Sequence, residues 1–163
     1  MLETNLCIIG LAKDFTDQLC KKLSARLDMF YANVEEFVDY NLEAEEMKKI
    51  CGIEYFKNKQ INEIRKICRY ENTMLNINYT LLNDKVIFDI IKSSCVIIYL
   101  QLDLERINIE FRKEKRTPNE INIINTMYND RDFLCKSKAH ITIPFDKSDD
   151  EIIELIASTI ENE

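Results

Sequence analysis

A chain of 163 residues with a formal net charge of −7 is long enough for one domain with a sizeable core. The acidic balance argues against nucleic acid or an anionic membrane as the main partner, because both select basic surfaces. No apolar run approaches the roughly 18 residues of a membrane span and no signal peptide precedes the first apolar run, so the expected location is the cytoplasm.

Taken in chain order, Asn5-Leu6-Cys7-Ile8-Ile9 reads as a buried strand, and Phe15, Leu19, Leu23 and Leu27 form the apolar stripe of the helix after it. A short apolar segment, Met29-Phe30-Tyr31, comes next. Helical patterns are predicted over 34–40, 42–50 and 53–70, the last with Phe56, Gln60, Ile64, Ile67 and Cys68 near one face. Residues 73–78 read as a strand and 82–92 as a helix. Cys95-Val96-Ile97-Ile98-Tyr99-Leu100 is the clearest buried strand, apolar on both faces as central parallel strands are. A helix over 103–112 leads into the charged patch Arg112-Lys113-Glu114-Lys115-Arg116, and Pro118 opens a long helix running to about Lys138. Ile141-Thr142-Ile143 is the last strand and 149–160 the last helix. Strands alternating with helices imply a parallel sheet covered on both faces, a three-layer α/β/α domain spanning 1–163.

The turn after the first strand carries the most information. Strand, glycine-led turn and helix form the setting that a G-x-x-x-x-G-K-[ST] phosphate-binding loop requires. Here Gly10-Leu11-Ala12-Lys13-Asp14-Phe15-Thr16-Asp17 places Phe15 in the second Gly slot, Thr16 in the Lys slot and Asp17 in the Ser/Thr slot. Glycine is scarce throughout. Average usage would give about 11 in this length, and only Gly10 and Gly52 are present. Asp14 is expected to cap the helix and Asp17 to complete a carboxylate variant of the capping box. Those two carboxylates would repel a triphosphate, and the Phe15 ring would lie where the phosphate chain belongs. Six cysteines without a C-x-x-C pair read as reduced core thiols rather than as disulfides or a zinc site. His140, the single histidine, reads as a strand-end residue facing solvent, and Glu43-Ala44-Glu45-Glu46 as a solvated first helical turn.

The succession of elements resembles the shikimate kinase family, the small nucleoside-monophosphate-kinase-like P-loop proteins, over nearly the whole chain. The first strand and Gly10 resemble that family's loop entry. Met29-Phe30-Tyr31 with Glu35-Glu36 resembles its F-x-D-x-D-x-x-I-E segment, and Gly52-Ile53-Glu54-Tyr55-Phe56-Lys57 its G-E-x-x-F-R element. Cys95–Leu100 resembles its fourth strand. Lys115-Arg116-Thr117-Pro118 resembles the lid, and Asp130-Arg131-Asp132-Phe133-Leu134 the E-R-x-x-x-Y substrate motif. The resemblance implies a five-stranded parallel sheet, substrate-binding-like helices at about 33–70 and a lid-like segment at about 112–119. It also implies departures. The loop Lys falls on Thr16, the magnesium-binding Ser/Thr on Asp17, two aspartates on Ala32 and Val34, and the triple-glycine loop near Asn78-Tyr79-Thr80. Lys57 replaces an Arg, keeping charge but losing a two-pronged grip. Arg116 and Arg131 survive.

Three functional readings follow, the third being an interaction module that predicts an exposed apolar patch near the closed cleft. In the first, the chain is a degenerate, catalytically inactive member that binds or regulates. It needs no cofactor, has neither catalytic nor metal-ligating residues, and takes a small carboxylate or a protein partner. In the second, an active phosphotransferase has rebuilt its loop, with ATP and Mg2+ as cofactors and Asp14 or Asp17 on the metal. Gly10, Lys13 and Arg116 are the candidate nucleotide contacts. Lys57 and Arg131 are the candidate carboxylate contacts, with Asp130 or Asp132 as Arg131's plainer partners. The aromatic set Phe30, Tyr31, Phe37 and Tyr40 is expected to fill part of the substrate cleft.

Overall fold

The computed structural model describes residues 4–162. Five strands, β1 (Asn5–Ile9), β2 (Phe30–Asn33), β3 (Thr73–Asn76), β4 (Cys95–Gln101) and β5 (Ile141–Pro144), form one sheet in the order β2-β3-β1-β4-β5. Every pairing is parallel. Helices α1 (Lys13–Leu27), α2 (Val34–Leu42), α3 (Ala44–Cys51), α4 (Ile53–Ile67), α5 (Lys85–Ser94), α6 (Leu104–Lys113), α7 (Pro118–Lys138) and α8 (Asp149–Glu161) connect and cover it.

Side chains alternate across a strand, and β1 shows what this does to an unbroken apolar run. Cys7 and Ile9 point to one face, where Leu75, Ile97 and Tyr99 join them against α4, α5 and α6. Leu6 and Ile8 point to the other, where Met74, Ile98 and Leu100 meet α1 and α8. Both faces of β1 are buried, so it sits in the middle with β3 on one flank and β4 on the other. The chain therefore fills one half of the sheet before crossing to the other half. Crevices outside the carboxyl ends of strands at such a reversal are where open α/β sheets bind ligands.

Several expected boundaries move: the helix expected over 53–70 ends at Ile67, and the largest change follows β3. The strand 73–78 ends at Asn76, and the helix expected from Leu82 starts at Lys85, with a 3-10 turn over Tyr79–Asn83 between them. Asn78 accepts from the Thr80 amide at 3.0 Å, and Asp84 from the Val86 and Ile87 amides at 2.9 and 3.2 Å. Each side chain thus starts a new turn instead of letting one helix run through. Between α3 and α4, Gly52 takes φ 87°, a left-handed conformation that breaks the two helices apart.

Candidate ligand-binding site

Carboxyl ends of β1, β2 and β3 deliver Gly10, Asn33 and the segment Asn76–Thr80 to one cavity of about 320 Å³. Lys13 and Thr16 of α1, Arg116 after α6, and Arg131 of α7 complete its polar wall. Four of the five residues singled out from the sequence (Gly10, Lys13, Arg116 and Arg131) therefore share one space. Lys57 lies elsewhere. Its ammonium pairs with Asp84 at 2.7 Å, and that ion pair together with the α5 amides holds the Asp84 carboxyl below its ordinary value.

The loop is held by its own side chains. A Cβ on Gly10 would stand 2.3 Å from the Thr16 hydroxyl, so glycine is needed there for close approach. Thr16 is 3% exposed, and its hydroxyl turns back to donate to the Ala12 carbonyl at 2.7 Å. Neither Asp14 nor Asp17 caps α1. The helix begins at Lys13 with Ala12 at the N-cap, which offers no side-chain acceptor. Asp14 lies already inside the first turn, so it is its amide that needs a partner. That partner is Glu114, one hundred residues away, whose Oε1 accepts from the Asp14 amide at 2.9 Å. Asp17 faces β2 instead, where Tyr31 donates its hydroxyl, Asn33 its amide at 3.3 Å and Lys21 its ammonium at 2.9 Å. Burial alone would raise the Asp17 carboxyl, but the hydrogen bonds from Tyr31, Lys21 and Asn33 outweigh it and hold the carboxyl below its usual value.

Phe15 does not obstruct the cavity. Its ring is buried edge-on against Phe145, centroids 4.9 Å apart, with the Arg106 guanidinium 5.1 Å away on a face. The aromatic set also departs from expectation. Phe30 and Tyr40 are 78% and 87% exposed, while Val34 and Val38 take the buried positions. Phe30 opens an edge strand and Tyr40 lies on the outer side of α2, so neither reaches the cleft.

The lid-like corner is short. Glu114 ends α6, Lys115 takes φ 56°, and the Arg116 amide returns to the Phe111 carbonyl at 3.0 Å while the Lys115 amide meets that of Arg112 at 3.1 Å. This is a Schellman closure with lysine at the position that favours glycine. It lays Arg116 5.4 Å from the Phe111 ring centroid and puts its Nε 3.0 Å from Glu114 Oε2. Thr117 and Glu120 then form a reciprocal capping box around Pro118 at the first helical position.

The cavity cations differ in their partners. Lys13 pairs with Glu35 at 3.3 Å, and Arg116 with Glu114 and, at 3.9 Å, Glu120. Among the described residues Arg131 has no carboxylate partner. It lies 4.0 Å from Met127 Sδ and beside Tyr79, whose hydroxyl is pushed up by burial and drawn down by the guanidinium. Asp132 instead takes the Tyr99 hydroxyl at 2.7 Å, Gln101 at 3.1 Å and Lys136 at 3.2 Å. His140 is exposed, as expected, yet its Nδ1 also accepts from the Ile97 amide at 2.9 Å, tying the start of β5 to β4. No cluster of three or more metal-ligating side chains occurs among the described residues, and no helix described is long and apolar enough to cross a membrane.

Glu35 and the asparagines at 33, 76 and 78 line the cavity, and Glu114 stands behind it on Arg116; sequence reasoning singled out none of them as site residues. For Glu114 a signal existed: one acid embedded in a five-residue basic patch.

A parallel sheet in this order, with a glycine-led turn from β1 into α1 and a cavity over the strand ends, defines a P-loop-kinase-like α/β fold. Solved structures that share this fold include three shikimate kinases. The shikimate kinase of Acinetobacter baumannii, solved in complex with shikimate, matches with TM-score 0.78 at 13% identity over 98% of this chain and 94% of that one. The shikimate kinase of Aquifex aeolicus vf5 matches with TM-score 0.72 at 19% identity over 98% and 97%. That of Bacteroides thetaiotaomicron matches with TM-score 0.78 at 10% identity over 97% and 98%. By sequence, no family model and no curated protein matches the chain. The fold expected from the sequence is thus the fold observed.

Proposed function

We propose that this chain uses a shikimate-kinase-like scaffold to bind a small carboxylate-bearing ligand without transferring phosphate. One observation carries the reading. At the two loop positions where this fold places a phosphoryl-contacting lysine and a metal-binding hydroxyl, the chain has a buried threonine bonded to its own backbone and an aspartate engaged by three donors. Phosphoryl transfer depends almost entirely on positioning and electrostatic stabilisation by such groups. A magnesium nucleotide does not fit this donor set, because Asp17 is already neutralised by Lys21 and the loop presents no second glycine for close backbone approach. Arg131, without a carboxylate partner among the described residues, is the group suited to an incoming one.

A coupled assay with ATP, magnesium and shikimate should give no turnover above background, and a rate near one per second or faster, ordinary for a kinase, overturns the reading. Calorimetric titration with shikimate tests the ligand class. Arg131→Met should weaken any binding about 10- to 100-fold, the scale of a charged hydrogen bond, and an unchanged affinity removes Arg131 from the site.

The convergence of Lys13, Arg116 and Arg131 on one cavity favours a second reading, a phosphotransferase with a rebuilt loop. That reading requires millimolar ATP with magnesium to raise the melting temperature by ligand linkage. No shift is expected.

A further inference from the structure

We propose that Glu114 is a built-in anion that takes, at the amino end of α1, the place a bound phosphate would occupy, and so latches the α6–α7 corner onto α1. The inference rests on the non-phosphorylating reading above and extends it to why this helix end is closed.

The first amides of any helix lack partners within the helix and attract an anion. In α1 the usual local remedy is missing, since Ala12 has no side-chain oxygen, no side chain caps the helix, and Asp17 is engaged by Tyr31, Asn33 and Lys21. The acceptor arrives from the far end of α6. Glu114 is 5% exposed at its side chain, and a carboxylate so buried persists only when both oxygens are satisfied. Oε1 takes the Asp14 amide and Oε2 the Arg116 guanidinium. The same carboxylate thus neutralises two groups that could otherwise meet a phosphate, one backbone donor and one cation.

The corner that carries Glu114 cannot swing by itself. Only residues 114–117 separate α6 from α7. The Schellman closure fixes one end and the Thr117–Glu120 box the other. A free anion must therefore displace a carboxylate that is already in place and held at high effective concentration.

The test follows the Asp14 amide by NMR during titration with inorganic phosphate, in wild type, Glu114→Gln and Glu114→Ala, each first shown to melt cooperatively. Without ligand, the Asp14 amide should move in Glu114→Ala. With ligand, phosphate should bind Glu114→Ala at least tenfold more tightly than wild type and shift that amide saturably, with Glu114→Gln between them. An Asp14 amide unmoved by the alanine substitution, or phosphate binding no tighter than in wild type, overturns the latch. Should Glu114→Ala fail to fold, Glu114→Gln decides: phosphate binding equal to wild type overturns the proposal. Kinase turnover by the wild-type chain would refute the proposed function, whereas an unmoved Asp14 amide refutes the latch alone.

Discussion

Replacing Gly10 with alanine should destabilise the protein through Thr16, and the size of the effect can be worked from the loop. The added Cβ would meet the Thr16 hydroxyl at 2.3 Å and the Thr16 Cβ and Cγ2 at 3.4 Å. Thr16 is buried, and its hydroxyl is tied to the Ala12 carbonyl at 2.7 Å. Turning the hydroxyl away forfeits that bond, about 1 kcal/mol. Shifting the backbone instead costs about 1–3 kcal/mol, as overpacking does. The two routes bracket a loss of about 1–3 kcal/mol, or about 2–12 °C in melting temperature for a domain of this length. Thr16→Ala alone should cost about 1 kcal/mol for the hydrogen bond it removes. In the double variant the clashing hydroxyl is gone, and the remaining 3.4 Å contact to Cβ is ordinary packing. Urea denaturation of all four proteins closes the cycle, and the double variant should be more stable than the sum of singles by about 1–2 kcal/mol. Strict additivity, or a Gly10→Ala loss below about 0.5 kcal/mol, would refute the argument that this glycine is retained for internal packing.

Four further outcomes are expected. The depressed Asp17 carboxyl contributes stability that is full above its ordinary value of 3.8 and is lost as pH falls towards its lower native value. Urea midpoints of Asp17→Asn should therefore fall less steeply over that acid range than those of wild type. Asp84→Ala should cost about 1 kcal/mol by uncapping α5, and Asp84→Asn less, because asparagine caps equally well; thermal melts compare the two. Lys115→Gly should stabilise by about 1 kcal/mol, since φ 56° is strained for lysine and free for glycine, and a rise in melting temperature of about 2–4 °C would register it. Asp132→Leu should cost about 1–3 kcal/mol by leaving the buried Tyr99 hydroxyl without its acceptor, and the additional change Tyr99→Phe should recover part of that loss in chemical denaturation.

The fold was legible where burial writes itself into spacing. β1 and β4 are apolar on both faces because helices cover both sides of a central parallel strand. The α1 stripe of Phe15, Leu19, Leu23 and Leu27 is buried as its 3–4 residue period requires. Pro118 marked the start of α7 correctly. The 3-10 turn over Tyr79–Asn83 escaped notice because Leu81 and Leu82 continue the apolar spacing of α5, and periodicity cannot distinguish a packed turn from a further helical turn. The capping residues Asn78 and Asp84 were the available signal.

The site was legible in its cations and obscure in its anions. Gly10, Lys13, Arg116 and Arg131 reach one cavity because topology alone brings the end of β1, the corner after α6 and the middle of α7 over the same strand ends. Which acid answers which cation or amide is a long-range matter. Lys57 was assigned to a ligand, and Asp84, 27 positions later, takes it. Asp14 was assigned the capping of its own helix by proximity in sequence, whereas Glu114 supplies the acceptor from across the molecule. Local rules find local partners, which suffices for Arg116 but not for Lys13, Lys57 or the Asp14 amide, whose acids lie 22 to 100 positions away. Glu35 closes on Lys13, Glu114 and Glu120 close on Arg116, and Asp132, one of the two acids flanking Arg131 in sequence, is drawn away to Tyr99, Gln101 and Lys136. Arg131 is left with no acid among the described residues, and that residual positive charge, rather than the glycine-led loop, sets the kind of ligand this cavity is proposed to accept.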